Sequence, residues 1–591
     1  MEITEGLLIA AAVLIVVVAV SLLSSRIGIA APLLLVVLGM SVGYLPGIPL
    51  IEIDPEIILV AVLPPLLYSS AVNVPVLDLR RNLGPIAGLS VALVIISAVA
   101  VGLLLHLVVP AIPLAAAIAL GAVVAPTDAV AATAIGKRLG MPPRLVAILE
   151  GESLVNDATS LVLLRTAIAA TAGTFAFWET LGIFVYAVVV ATLIGLAIGF
   201  VTMGVRSKLA NPVYDTVISF TVPFIAFVPA EAAGGSGVIA VVVAGLYSGH
   251  HAAQKLNARA RVNERLNWRT VQFLLEHGVF LLMGLELQAL LTDVGASSFT
   301  LAHTGLIGLG IVMVLLLLRM AFMAPLLWSL QRTLNKHRVR AAGTKRAASR
   351  ARELADAEAI TDTQEIRVLR ADRRARRSAA DLEHARSQGL NWRGGFTLGW
   401  SGMRGVVTLA AAQSIPTEVP YRSHLVLIAF IVAVVTLLLH GLTLPAVVRR
   451  LRPSGPTHSD RAEELVGLYT DLTRAGAQAV ESALENERAL ALEDPRHPEP
   501  SDRTIQRAKV SVHDAVAPLG YSIPRTSDTA RSASEQEALT YLRLARAALE
   551  AQRSVLLEER AIGQYDSAAL RLAEEALDAH ELRLAPPVAG H

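Results

Sequence analysis

Two short stretches carry carboxylates where the surrounding chain is almost wholly apolar: Pro126-Thr127-Asp128 and Glu152-Ser153-Leu154-Val155-Asn156-Asp157. A charge at bilayer depth costs roughly 2.5–3.5 kcal/mol on insertion scales, so one that persists there marks an ion path or a proton relay. Pro126 has no N–H to donate and disfavours helix at Ala125, so the backbone is expected to open beside Asp128. Carbonyls freed there can coordinate a cation; the bland alternative is a proline kink with a hydrogen-bonded aspartate. In the second stretch, positions four apart share a helix face. Ser153 and Asp157 therefore point one way, and Glu152 and Asn156 about 100° around from them. The first pair offers a hydroxyl and a carboxylate to a hard cation, which prefers oxygen ligands. The second pair is expected to hold the scaffold, and Glu152 then needs a buried cationic partner.

Arg404 is the candidate partner. It stands about eleven residues into an apolar segment, flanked by Gly402 and Gly405 in GGFTLGWSGMRGVVTLAAAQ, too deep to reach water easily. Other polar residues in apolar runs read differently. Glu276 and His277 are expected at a cytoplasmic edge, with a proton-entry or pH-sensing pair as the sharper alternative. Glu286 is expected to be solvated, and Arg165 and Arg319 to be interfacial or paired with lipid. Asp215 and Glu231 bracket one span, with open roles.

The elements that must position these residues are membrane helices. Of 591 residues 54% are hydrophobic and 17% charged, and apolar runs near twenty residues long repeat along the chain. They give thirteen candidate spans: 6–23, 29–45, 57–72, 84–109, 111–135, 143–170, 178–203, 213–230, 237–250, 270–290, 300–329, 394–415 and 422–447. Loop charge tests the count. Arg26, Arg80, Arg81, Lys137, Arg138, Arg144, Arg206, Lys208, Lys255, Arg259, Arg261, Arg265 and Arg269 all follow odd-numbered spans, whereas Arg422 is the one basic residue after an even-numbered span. This alternation places the N-terminus outside and the C-terminus in the cytoplasm. The first apolar run lacks a basic leader and a small-residue cleavage site, and reads as a span rather than a signal peptide.

The expected architecture is all-α: two inverted six-helix repeats joined by a linker span, with interrupted helices fifth in each half, over residues 1–450. Matched broken helices in inverted halves point to a transport site at the repeat interface. A charged cytoplasmic insertion, 331–391, has the composition of a helical hairpin. Residues 452–591 form a tail with helical patterns at 532–560 and 565–585. A net charge of +2 gives no sign of a nucleic-acid partner. With no cysteine, disulfides, thiolate metal sites and iron–sulfur clusters are excluded. There is no P-loop, zinc motif or nucleophile elbow, so no enzyme reading and no cofactor is expected.

Several of these stretches resemble the monovalent cation:proton antiporter-1 family, the bacterial electroneutral Na+/H+ antiporters and their relatives among sodium/proton exchangers. They are LPPLLY (63–68), APTDAVA (125–131), EGESLVNDATSLV (150–162), EAAGGSGVIAVVVAGL (231–246), LLMGLEL (281–287) and GMRGVVTLA (402–410). The resemblance implies a homodimer in the cell membrane, with a moving core domain that carries crossed broken helices. It implies that Asp157 binds the transported monovalent cation, helped by Asp128, Ser153 and the backbone at Thr127. It also implies that Asn156 beside Asp157 marks the electroneutral branch, and that Glu152 and Arg404 form a structural ion pair. Ser69 and Ser70 depart from relatives that carry an acid after the LPPLL-aromatic stretch.

The expected activity is exchange of Na+ or Li+ for H+, one for one, by alternating access. Cation and proton compete for Asp157, and the empty anion is costly to move through an apolar barrier. The alternatives are K+/H+ exchange, a sodium-coupled solute symporter, and a sensor acting through the tail. The compact carboxylate cluster argues against the symporter, which needs a larger polar cavity.

Overall fold

The structure is a computed structural model. It describes residues 3–453 apart from 28–30, 45–55, 173–176, 210, 257, 296–299, 358–365, 406, 417 and parts of 366–389. Beyond 453 it describes only scattered positions between 474 and 506, so the tail helices expected at 532–560 and 565–585 lie outside the described residues. The chain separates into two compact units, Met1–Gly455 and Pro456–His591. Every regular element among the described residues is helical.

The chain opens with α1 (Ile3–Ile27) and the short α2 (Ala31–Gly43). A π-helical turn, Ile57–Val62, leads into α3 (Leu63–Asn73), where Pro64 and Pro65 supply no N–H to the preceding carbonyls. Then come α4 (Val76–Arg81), α5 (Leu83–Ala87) and α6 (Leu93–Val108), the last two joined through a second π-helical turn, Gly88–Ala92. The first interrupted helix consists of α7 (Leu114–Val124) and α8 (Val130–Arg138). Next are α9 (Pro143–Ala172), α10 (Phe177–Arg206), α11 (Pro212–Ala232), α12 (Gly237–Lys255) and α13 (Ala258–Gly295). The long α14 (Leu301–Ala357) precedes the second interruption, between α15 (Trp392–Trp400) and α16 (Val407–Gln413), and α17 (Arg422–Leu451) closes the unit.

Among the described residues six helices are long and apolar enough to cross a membrane by length and composition. They differ in how far protein encloses them: 72% of the most apolar stretch of α17 is buried, against 22% for α10. Thus α17 is central, whereas α10 turns Leu193, Phe200 and Val201 outward, as a lipid-facing helix does. Close packing of the small elements relies on missing side chains. A Cβ on Gly39 of α2 would stand 2.9 Å from the Gly284 Cα of α13, and membrane helices use such small residues to bring backbones together.

A buried ionic knot ties three helices. Arg206, ending α10, grips Asp215 of α11 through Nε–Oδ1 (2.7 Å) and Nη2–Oδ2 (3.1 Å). Its Nη1 lies 2.8 Å from Oε1 of Glu264 on α13. Trp268 Nε1 donates to Ser219 Oγ (2.8 Å), which in turn donates to Glu264 (3.3 Å). Glu231, at the other end of α11, pairs with Arg165 and accepts from the Gly237 amide. Glu286 is buried, contrary to the expectation of a solvated side chain. It lies within α13, which packs beneath α2 rather than ending at the surface there. Within the 331–391 insertion, α14 runs on without a break to Ala357, and Arg352 pairs with Asp372 at 2.7 Å.

Candidate ion-binding site

The site forms where the two interruptions cross. Pro126 ends α7 as proline chemistry requires, and the chain runs non-helically until α8 begins at Val130. The second interruption lies between Trp400 and Val407, around Gly402 and Gly405. The Asp128 amide donates to the Met403 carbonyl (2.7 Å), joining one break to the other. Gly405 is required at this crossing, because a Cβ there would fall 2.6 Å from the Asp128 Cβ.

Breaking a helix leaves orphan carbonyls at one end and orphan amides at the other, with partial charges to match. At the end of α7, Arg404 Nε donates to the Val124 carbonyl (2.9 Å), while its Nη1 donates to Gly402 (3.1 Å). At the start of α8, Asp128 Oδ1 accepts from the Val130 amide (2.8 Å), as a capping carboxylate does. At the end of α15, Arg319 of α14 donates from Nε to Gly399 (3.1 Å) and from Nη2 to Leu398 (3.3 Å). Both half-helix C-termini therefore end on a buried arginine.

Arg319 also corrects the expected ion pair. Glu152 makes a two-pronged pair with Arg319, through Nη1–Oε1 and through Nη2–Oε2 at 2.9 Å. Arg404 stays within electrostatic reach of Glu152 but makes no ion pair with it, because its guanidinium is committed to the two carbonyls. Arg319 is buried, not interfacial. The sequence held a usable signal: Arg319 stands ten residues from the nearer end of the 300–329 span, as deep as Arg404 stands in its own.

The α9 face carrying Glu152 and Asn156 is fully buried and grips the first interruption. Thr127 Oγ1 donates to Glu152 Oε1 (2.6 Å). Asn156 Nδ2 donates to the Thr127 carbonyl (2.9 Å) and reaches its Oγ1 at 3.2 Å. Ser160 Oγ donates to Ala122 (2.8 Å), and Ser90 Oγ to the Glu152 carbonyl (3.0 Å); neither serine carries a sequence signal of this role. Asn156 thus stands behind the site, and the Thr127 carbonyl keeps one of its two lone pairs for another ligand.

Ser153 and Asp157, on the other face of α9, are half-buried. Among the described residues no hydrogen-bond donor and no basic side chain holds the Asp157 carboxylate, whose charged neighbour is Asp128. Asp128 in turn has, among the described residues, the Val130 amide as its hydrogen-bond donor. Two carboxylates and a hydroxyl therefore gather beside an opened backbone, with Glu152, Arg319 and Arg404 behind them. Such a set of oxygens suits a proton or a hard cation.

Residues 11–450 match the family described as sodium/hydrogen exchanger, transmembrane. The chain is 27% identical to an uncharacterized Na+/H+ exchanger of Mycobacterium tuberculosis, covering 98% of this chain and 97% of the relative. It is 28% identical to the Na+/H+ antiporter ApNhaP of Aphanothece halophytica, over 80% of this chain and 76% of that one. Its backbone matches the sodium proton antiporter MjNhaP1 of Methanocaldococcus jannaschii with a TM-score of 0.54 at 16% identity, covering 76% of this chain and 99% of that chain. This last likeness is one of fold.

Proposed function

The chain belongs to the sodium/hydrogen exchanger family of multi-pass membrane transporters, and from that premise we propose that it exchanges one Na+ or Li+ for one H+ without net charge movement. The charge count at the crossing carries this reading. Asp128, Glu152 and Asp157 share the crossing with Arg319 and Arg404, and of the three only Glu152 is paired, so these five groups, all ionised, hold one negative charge in excess. One monovalent cation neutralises it, and so does one proton. Loading either lets the core cross, whereas the empty cluster is held back by the cost of carrying net charge through an apolar barrier. Strict exchange follows.

The residues divide the work. Asp157 is the carboxylate for which cation and proton compete. Ser153 Oγ, the Asp128 carboxylate and the Thr127 carbonyl complete its oxygen shell. Asn156 holds Thr127 in place, and the Val130 amide at the start of α8 caps Asp128 beside Asp157. The inverted repeats, the homodimer, the outside N-terminus and the cell-membrane location belong to the same proposal. They rest on the alternating loop charge, the matched interruptions and the family resemblance.

The deciding measurement is exchange by the full-length protein in proteoliposomes containing a pH-sensitive dye, with Na+, Li+ or K+ added in turn. Na+- or Li+-driven proton movement that ignores an imposed membrane potential supports the reading. A response to K+ alone transfers the mechanism to that ion. Potential-dependent exchange, or silence with all three, defeats it.

A further inference from the structure

Carboxylates enclosed by this protein normally sit against a basic group: Glu152 against Arg319, Asp215 and Glu264 against Arg206, Glu231 against Arg165. Asp128 and Asp157 depart from that habit, and so does Glu276 on α13. Its charged neighbour is Asp128, and among the described residues no lysine or arginine approaches it. His277, next in sequence, turns away, its Nδ1 against the Phe273 carbonyl (2.9 Å) and its ring against the Phe273 ring.

Glu276 is nevertheless held. Gln272 Nε2 donates to Glu276 Oε1 (2.7 Å), and Gln272 Oε1 accepts from Ser69 Oγ (3.0 Å). Ser69 lies wholly buried in α3, and its hydroxyl also meets the Trp268 carbonyl at 3.3 Å. A glutamine one turn back is common decoration on a solvated helix. Here its far end is anchored to another helix, so the carboxylate is fixed in place while remaining half-buried. Among the described residues Glu276 does not join Asp128 and Asp157 in a three-carboxylate metal cluster. It follows Arg269 by seven residues, about 10 Å of helix rise, between the expected basic loop, whose residues 259–269 fold as the start of α13, and the crossing.

We propose that Glu276, fixed by Gln272 and Ser69, is an outer loading site for monovalent cations on the route to Asp128 and Asp157. This rests on the exchange reading above. Once ionised, a carboxylate fixed in place raises the local cation concentration, and its field reaches Asp128. Because it lies on one side of the crossing, it serves cations entering from the face that bears the basic loop.

The test is a cation titration of exchange in proteoliposomes, with Na+ presented at one face and then at the other. Glu276→Gln keeps an acceptor for Gln272 and removes the charge. It is expected to raise the half-saturating Na+ concentration about three- to tenfold at the basic-loop face, with a much smaller change in maximal rate and at the opposite face. Glu276→Asp restores most of the loss, and Gln272→Leu, which frees the carboxylate, shifts half-saturation in the same direction. Unchanged half-saturation in Glu276→Gln and Gln272→Leu, an equal shift at both faces, or a lost maximal rate at unchanged half-saturation overturns the inference. In those cases wild-type exchange still stands; a wild type silent with every cation overturns both readings.

Discussion

Residues around the crossing do opposite jobs a few ångströms apart, and substitution separates them. Asp157→Asn removes the group that a cation and a proton share, so exchange is abolished while the thermal transition in detergent is kept or raised. Residual Na+-driven proton movement above a tenth of wild type contradicts that assignment. Arg319→Met strands Glu152 in the interior, at a cost of about 3–5 kcal/mol, and lowers the thermal transition. The double variant with Glu152→Gln recovers much of the loss, because two neutral partners leave no orphan charge; a double variant no more stable than the single one refutes the pairing. Competition for Asp157 also fixes the sign of the pH effect. As pH falls, protons occupy the carboxylate, so the half-saturating Na+ concentration rises, by about tenfold per pH unit at most for one proton. A Na+ titration of exchange at several pH values reads this directly.

Helices place those residues by being broken, and each break has a chemical cause. Pro126 was a legible cause, and so were the glycines around Arg404. The need of Glu152 for a buried cation was legible too, from its place in an apolar run. Which cation was not, because Glu152 and Arg319 are separated by 167 residues and helix periodicity says nothing about which of two arginines a neighbour presents. Depth does not separate the two arginines, and it does not reveal that Arg404 is taken up by the Val124 and Gly402 carbonyls. Periodicity did place Asn156 on the scaffold face with Glu152, but not the partner that its amide takes there, the Thr127 carbonyl. At this scale the sharpest test is Gly405→Ala. Its added methyl meets the Asp128 side chain, prising α8 from the second break. Exchange should fall at least tenfold while protein yield and oligomeric state are retained, and normal exchange would mean that the crossing is looser than its close contacts imply.

The whole molecule joins an ion-carrying unit, Met1–Gly455, to a second unit, Pro456–His591. The groups proposed to load and neutralise the site all belong to the first, so a chain ending at Gly455 should keep Na+/H+ exchange within about a factor of two to three. Loss of exchange from a truncated but folded protein, measured in proteoliposomes, would assign the second unit a part in transport itself. That α10 and α17 are spans was readable from hydropathy, since each carries a long apolar stretch. That α17 is central and α10 peripheral was not, because hydropathy does not distinguish contact with lipid from contact with other helices.

The single backbone bond from Asp128 to Met403, together with the reach of Arg404 from one break to the carbonyl of the other, fastens the two interrupted helices at their waists. Whatever moves during transport must carry them as one piece. A cation is then bound by the same set of oxygens whether the site opens to one side or the other, and its order of preference among Na+, Li+ and K+ should be identical at the two faces of the membrane.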